Sequence, residues 1–365
     1  MSSSISFLFA AIALLLLLLP SSVFTSAFIF PPPPILNPWL PFQNLSGCHL
    51  GDDKPGLARL KNYLQHFGYL PPANFTDAFD DALEAAIRTY QHNFGLNATG
   101  ELDMPTVDQL MTPRCGVSDF VNGTSTMNGS AALHGRHLYT YFPGVPTWPF
   151  WRRNLKYAVT ATSAVAIDQA VLKAVFARAF GRWAAATMLT FTETESTADA
   201  DITLGFYSGA HGDGEPFDGV LGTLAHAFSP TNGRLHFDAA EAWIAEGDVT
   251  RASSDVAVDL ESVAVHEIGH LLGLGHSSVP DAIMYPALKT RTRKVELESD
   301  DVQGIQRLYG SNPSYQGGTE DRTPATSSPE TNDGEGAAGC RWPWRVGLIL
   351  TIAAVGLRLD FALFF

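Results

Sequence analysis

The stretch His266–His276, HEIGHLLGLGH, decides how the rest of the chain is read. On a helix, residues four apart project from one face, so His266 and His270 present two imidazoles at a separation that one Zn²⁺ bridges. Glu267 flanks the same point, where a carboxylate can take a proton from water and return it to a leaving amine. Gly273 can adopt the positive φ that stops a helix and turns the chain, which lets His276 reach the metal as third ligand. Three protein ligands leave a fourth position open for water, the pattern of catalytic rather than structural zinc. An ordinary buried helix explains a bare HExxH; it does not explain the extended HExxHxxGxxH.

Beyond His276, the stretch AIMYP carries Met284. HExxHxxGxxH followed by a methionine turn resembles the metzincins, and further motifs narrow the resemblance to the matrix metalloproteinases. The resemblance implies an α/β (α+β) catalytic domain with a twisted mixed sheet and three helices, Met284 lying beneath the zinc. It also implies a secreted zinc endopeptidase made as a zymogen. PRCGVSD, residues 113–119, resembles the cysteine switch of family propeptides, in which the thiolate of Cys115 takes the fourth zinc position in the latent form. A metal ion deprotonates such a thiol on binding it. Arg114 and Asp119 are expected to pair across the loop, and Ser118 stands where the family has proline.

Composition bounds the partners. A chain of 365 residues with a formal charge of −14 has room for two small domains and offers no basic stripe for nucleic acid. Its three cysteines cannot form a disulfide framework, and Cys48 has no assigned role.

From the start, Phe7 to Leu19 is an apolar run too short to span a bilayer, so residues 1–26 read as a signal peptide. The Pro-rich PPPPILNPWLPF that follows is expected to be extended. Residues 27–138 form the propeptide. Within it, LARLKNYLQHFG, FDDALEAAIRTYQHNFG and DMPTVDQLM predict three helices over about 48–112, with Gly68 and Gly95 where helices stop. This segment is similar to the small three-helix, peptidoglycan-binding-like fold of family propeptides. His66 and His92 read as surface or core residues. Sequons begin at Asn44, Asn74, Asn97, Asn122 and Asn128, and none falls between Tyr139 and Gly310. The polar stretch from Asn122 to Arg136 reads as a protease-sensitive linker, with activation cleavage expected between Arg136 and Tyr139.

The catalytic domain is expected over 139–310. LKYAVT predicts a strand, and Val165 to Ala186 a long helix whose stripe of Ile167, Val171, Leu172, Val175, Phe176, Ala179, Phe180 and Trp183 is core. LTFTETE and DITLGFY predict further strands. In the turn-rich segment after them, His211, Asp213, His226 and His236 offer a closed N and O donor set, which means a structural metal. The resemblance assigns these positions to a structural zinc. It assigns Asp218, Gly219, Asp238 and Glu241 to a principal calcium site, and Asp201 to a second calcium whose partner loop is short here. All six histidines of 139–310 fall on these proposed zinc ligands, so none remains for a serine or cysteine triad. The same span holds 21 Asp and Glu against 13 Lys and Arg, an excess that bound divalent cations partly neutralise.

ESDDVQGIQRLYG predicts a closing helix with Ser299 as N-cap. The resemblance expects Asp300 to pair with the N-terminus that activation creates, and Pro286 with its neighbours to wall the primed-side pocket. Residues 311–339 read as a low-complexity linker without hemopexin-like repeats. Residues 340–365 end in an apolar tail that suggests a GPI-anchor signal; a transmembrane helix competes, but Arg358 and Asp360 interrupt it. This layout resembles the plant members of the family. The expected partners are protein or peptide substrates and a membrane reached through the GPI anchor, with no nucleic acid and a monomeric chain. The expected location is extracellular, on the outer face of the plasma membrane or in the matrix or wall. An alternative from another class is a cell-surface glycan-binding protein with a silent zinc site, and the intact Glu267 argues against it.

Overall fold

The computed structural model describes residues 37–127 and 139–315. The signal-peptide reading, the Asn128 sequon, the cleavage region, most of the linker and the C-terminal tail with Cys340 lie outside the described residues. Among the described residues, no helix is long and apolar enough to cross a membrane.

The N-terminal module folds around helices α1 (Leu57–His66), α2 (Asp81–Asn93) and α3 (Met104–Leu110). Asp80 and Asp103 cap the last two, accepting from the amides of Leu83 and Thr106. Gly68 and Gly95 follow α1 and α2 with φ of 84° and 68°, the left-handed geometry that ends helices there. Two expectations need correction. The segment Leu40–Leu45 is a 3₁₀ helix rather than extended chain, and Trp39, Phe42 and Leu45 are buried in the three-helix core, so the module begins before residue 48. Apolar residues spaced three apart can enter one core only if the chain coils. Cys48 is buried in that same core, as a packing residue.

The remainder of the chain carries a six-stranded sheet, one edge strand of which comes from Arg114–Cys115 of the preceding segment. Its strands are β1 (Arg114–Cys115), β5 (Asn154–Val159), β6 (Thr190–Glu193), β7 (Ile202–Tyr207), β8 (Thr223–Ala227) and β9 (Arg234–Asp238), in the order β1-β8-β9-β7-β5-β6. Only the β8–β9 pair is antiparallel, so the sheet is mixed. Three helices accompany it, α4 (Gln169–Ala186), α5 (Leu260–Leu271) and α6 (Ser299–Tyr309). The predicted stripe on α4 is buried at Leu172, Val175, Phe176, Ala179, Phe180 and Trp183. The Trp183 indole donates to the Val265 carbonyl at 2.9 Å, tying α4 to α5. Every residue of α5 is buried, as expected of a helix held inside a domain rather than on it. The N-cap of α6 is Glu298, one residue before the expected Ser299, because Glu298 and Asp301 complete a reciprocal capping box.

Six short strands complete the scheme: β2 (Phe120–Val121) pairs with β3 (Thr124–Ser125), and β4 (Tyr139–Tyr141) pairs antiparallel with β12 (Leu274–Ser277). β10 (Ala242–Ile244) pairs with β11 (Ala257–Asp259), which leads directly into α5.

Candidate metal centres

α5 places His266 and His270 one turn apart with their Nε2 atoms 3.1 Å from each other. The helix ends at Leu271, and Gly273 (φ 103°) turns the chain into β12, which delivers His276. Each ring is oriented from behind. His266 Nδ1 faces the Ile283 carbonyl at 2.7 Å, His270 Nδ1 the Leu274 carbonyl at 2.8 Å, and His276 Nδ1 a carboxylate oxygen of Asp119 at 3.0 Å. Carbonyl and carboxylate oxygens only accept, so every Nδ1 carries the proton and every Nε2 presents a lone pair. Three lone pairs converge, and His276 Nε2 is buried without a hydrogen-bond partner. Such a donor set fits a cation. The Cys115 sulfur closes the group 3.4 Å from His270 Nε2, and the four ligand atoms lie within 4.8 Å of one another.

Met284 is fully buried beneath this group, against Gly269 of α5. The turn that carries it is fixed by Asp301, which accepts from the amides of Ile283 and Met284 at 2.8 and 3.0 Å. Glu267 is buried with both carboxylate oxygens lacking a partner, and burial pushes its carboxyl up to about 8. Burial, then the Glu267 charge, push the Cys115 thiol well above its usual value; coordination to a cation reverses that balance.

Cys115 reaches the group because its segment is held on both sides. The Arg114 and Gly116 amides donate to the carbonyls of Gly222 and Ala225 at 2.8 Å, on the edge of β8. On the opposite side the Cys115 amide donates to the Pro286 carbonyl, and the Leu288 amide to that of Pro113, both at 2.9 Å. Gly116 is required: a Cβ there would stand 2.7 Å from Thr223 Cγ2. Arg114 and Asp119 pair as expected, through two bonds of 3.0 and 2.6 Å, both side chains fully buried. The Arg114 guanidinium lies 3.7 Å over the Phe67 ring of the three-helix module. Sequence reading missed that Asp119 also holds His276. The two residues are 157 positions apart, and no local pattern links them. Ser118 donates to the His66 carbonyl at 3.0 Å, a bond that proline could not make.

A second group lies at the far ends of β7, β8 and β9. His226 and His236 are direct cross-strand partners, and the loop after β7 supplies His211 and Asp213. One Asp213 oxygen lies 2.8, 2.7 and 2.8 Å from ring nitrogens of His211, His226 and His236. His211 Nδ1 faces the Gly209 carbonyl, so its Nε2 lone pair points at that carboxylate. Two lone pairs face each other there, and a cation is again the group that fits. Burial works against the Asp213 charge, yet the Glu215 amide and the His226 and His236 rings hold its carboxyl well below the usual range.

Asp218, Asp238 and Glu241 gather beside this loop. Asp238 accepts from the Gly219 and Ala240 amides at 3.1 and 2.9 Å, and Asp218 from the Thr223 amide at 2.9 Å. Glu241 is buried with neither oxygen partnered, and burial pushes it up to about 8 and Asp218 up to about 6. Asp201 stands apart: it accepts from the Lys156 amide at 2.9 Å and pairs with Arg152 at 2.7 Å, so both its oxygens are engaged by the protein. Asp300 accepts from the Ser277 hydroxyl at 2.7 Å. Asn44, Asn74, Asn97 and Asn122 are all exposed.

The chain matches the family model for Matrixin over residues 148–310 and a peptidoglycan binding domain model over residues 53–110. It is 48% identical to Metalloendoproteinase 2-MMP of Arabidopsis thaliana, with 97% of this chain and 98% of the relative aligned. It is 51% identical to Metalloendoproteinase 5-MMP of the same plant over 86% of each chain, and 49% identical to Metalloendoproteinase 1 of Glycine max over 73% and 85%. Family, fold and metal-site geometry agree: the chain belongs to the matrixins and is a zinc metalloendopeptidase.

Proposed function

We propose that the protein is a secreted matrixin zymogen that cleaves extracellular proteins and is kept latent by Cys115. The observation that supports this most is the convergence of three Nε2 lone pairs and the Cys115 sulfur on one point. Bound zinc supplies Lewis acidity and lowers the pKa of water to about 7. Glu267 takes the proton from the attacking water and passes it to the leaving amine; its buried position favours holding that proton until the amine departs. His266, His270 and His276 are oriented by their Nδ1 partners. His211, Asp213, His226 and His236 hold the structural zinc. Asp218, Asp238 and Glu241, with backbone of the Gly219 loop, hold calcium, which relieves three neighbouring buried carboxylates. Nothing in the surroundings of Asp201 supports a second calcium. Glycans on the exposed sequon asparagines and a GPI anchor complete the reading, along with a role for Asp300 at the mature N-terminus.

A glycan-binding role for the three-helix module is less well supported, because Phe67 and Phe94 face Arg114 rather than solvent. The test is cleavage of a quenched fluorescent peptide by the full chain and its variants. Cys115→Ser should be active without processing, and adding Glu267→Ala to it should cut the rate by about 10²–10⁴-fold with zinc content unchanged. A Cys115→Ser protein as silent as the parent, with its zinc in place, would overturn the latency reading.

A further inference from the structure

The three histidines of the α5 cluster are not held alike. His266 and His270 are oriented by the carbonyls of Ile283 and Leu274, which belong to the same part of the chain as the rings. His276 is oriented by Asp119, and its amide also donates to the Thr126 carbonyl at 2.7 Å, so the segment leading out of the N-terminal module grips it at ring and backbone. Asp119 is itself fixed from the module. Its Oδ2 accepts from the Tyr69 hydroxyl at 2.8 Å, that hydroxyl accepts from the Asn93 side-chain amide of α2 at 3.1 Å, and the Asp119 backbone amide donates to the Phe67 carbonyl at 3.0 Å. With the two Arg114 bonds and the His276 ring, four donors surround a carboxylate that is fully buried, as is His276. A hydrogen-bonded path thus runs from α2 to the back of a metal-facing ring.

We propose that the N-terminal module has a metal-loading function: through Asp119 it makes His276 a better ligand, so the histidine cluster takes up and holds zinc more tightly in the intact chain than once the module has left. Asp119 is a positioning residue here. A carboxylate behind an imidazole fixes its tautomer and raises the basicity of the opposite nitrogen. This support is separate from the Cys115 sulfur, which sits among the ligand atoms rather than behind one. When the module departs, His266 and His270 keep their carbonyls, whereas His276 loses its ring partner and its amide partner together. The inference rests on the reading of the three histidines as zinc ligands and does not require latency.

The test uses the full chain carrying Cys115→Ala, which removes the sulfur, with and without Asp119→Asn. Zinc per chain is titrated against chelators of graded strength, and the step missing in His266→Ala marks the histidine cluster. Asp119→Asn should weaken that step about 10–100-fold and leave the other where it was. Because this change strands the Arg114 charge, a second protein carries Arg114→Met as well, which removes both charges of the buried pair. Hydrogen exchange at the Gly116 amide, which donates to Ala225, reports whether β1 still lies on β8 in each. A loss of affinity with β1 in place supports the proposal. Unchanged affinity overturns it, and a loss seen only where β1 has detached overturns it in favour of simple shielding of the metal. If His266→Ala removes no zinc step, the zinc-ligand reading of the histidines falls, and this inference with it.

Discussion

The two four-donor clusters have the same geometry and opposite histories. His211, Asp213, His226 and His236 fall within 25 positions of one another, on two paired strands and the loop beside them. The other cluster takes three donors from α5 and β12 and its fourth, Cys115, from 155 positions before His270. A donor set drawn from one folding unit is lost only when that unit opens. A donor that arrives with a separately folded module can leave while the other three stay in place. Under the proposed latency, the fold builds a permanent cluster and a conditional one from similar donor sets.

Asp213→Ala tests the permanent one and should have the largest effect on stability. Removing the carboxylate shared by three rings is expected to cost one zinc per chain and about 10 °C in Tm, given about 3–5 kcal/mol for a broken buried ionic contact. Metal analysis and calorimetry read both. Cys115 should stay protected from thiol reagents in that variant; if it became reactive, the clusters would not be independent and the comparison would break. Asp119→Asn sharpens the other side. It strands the buried Arg114 charge and weakens the partner of His276, so Cys115 labelling, mapped by mass spectrometry, should quicken by about tenfold or more while the structural cluster keeps its metal.

Acid gives the smallest and most graded effect. Burial lowers the pKa of His266, His270, His276 and His236, and brings His226 down to about 4. An unfolded histidine binds its proton near 6.5, so below that pH the unfolded chain takes up more protons and stability falls as pH drops towards 4. Asp119 is shifted the other way: burial opposes its charge, but Arg114 and His276 hold it well below the carboxylate range. Its stabilising share is complete above an unfolded value near 3.8 and is lost only as pH falls below it. Tm followed from pH 7 to 5 should therefore decline through the histidines. A Tm that rises over that interval contradicts this assignment.

What could be read from sequence was what is local. The zinc helix, the turn at Gly273 and the α4 stripe follow from spacing alone, because helical geometry converts sequence distance into direction. Resemblance supplied the cysteine switch, and the Arg114–Asp119 pair stands where it was expected. Contacts that join distant segments were not legible. Nothing near Asp119 announces His276. Two residues at the switch carry no strand periodicity, so β1 was read as loop. Asp201 shows the converse: an acid in a family position looks the same in sequence whether it faces a cation or Arg152, which it pairs with here.

β1 has one more consequence, for solubility. It covers the outer edge of β8, occupying the Gly222 and Ala225 carbonyls that the sheet would otherwise leave open to any extended chain. A second copy of the protein is such a chain. While the pro-segment stays docked, the same few backbone bonds that seat Cys115 deny that edge to neighbouring molecules. Under the proposed latency, the segment that silences the site is also a guard against aggregation, and the two protections end together.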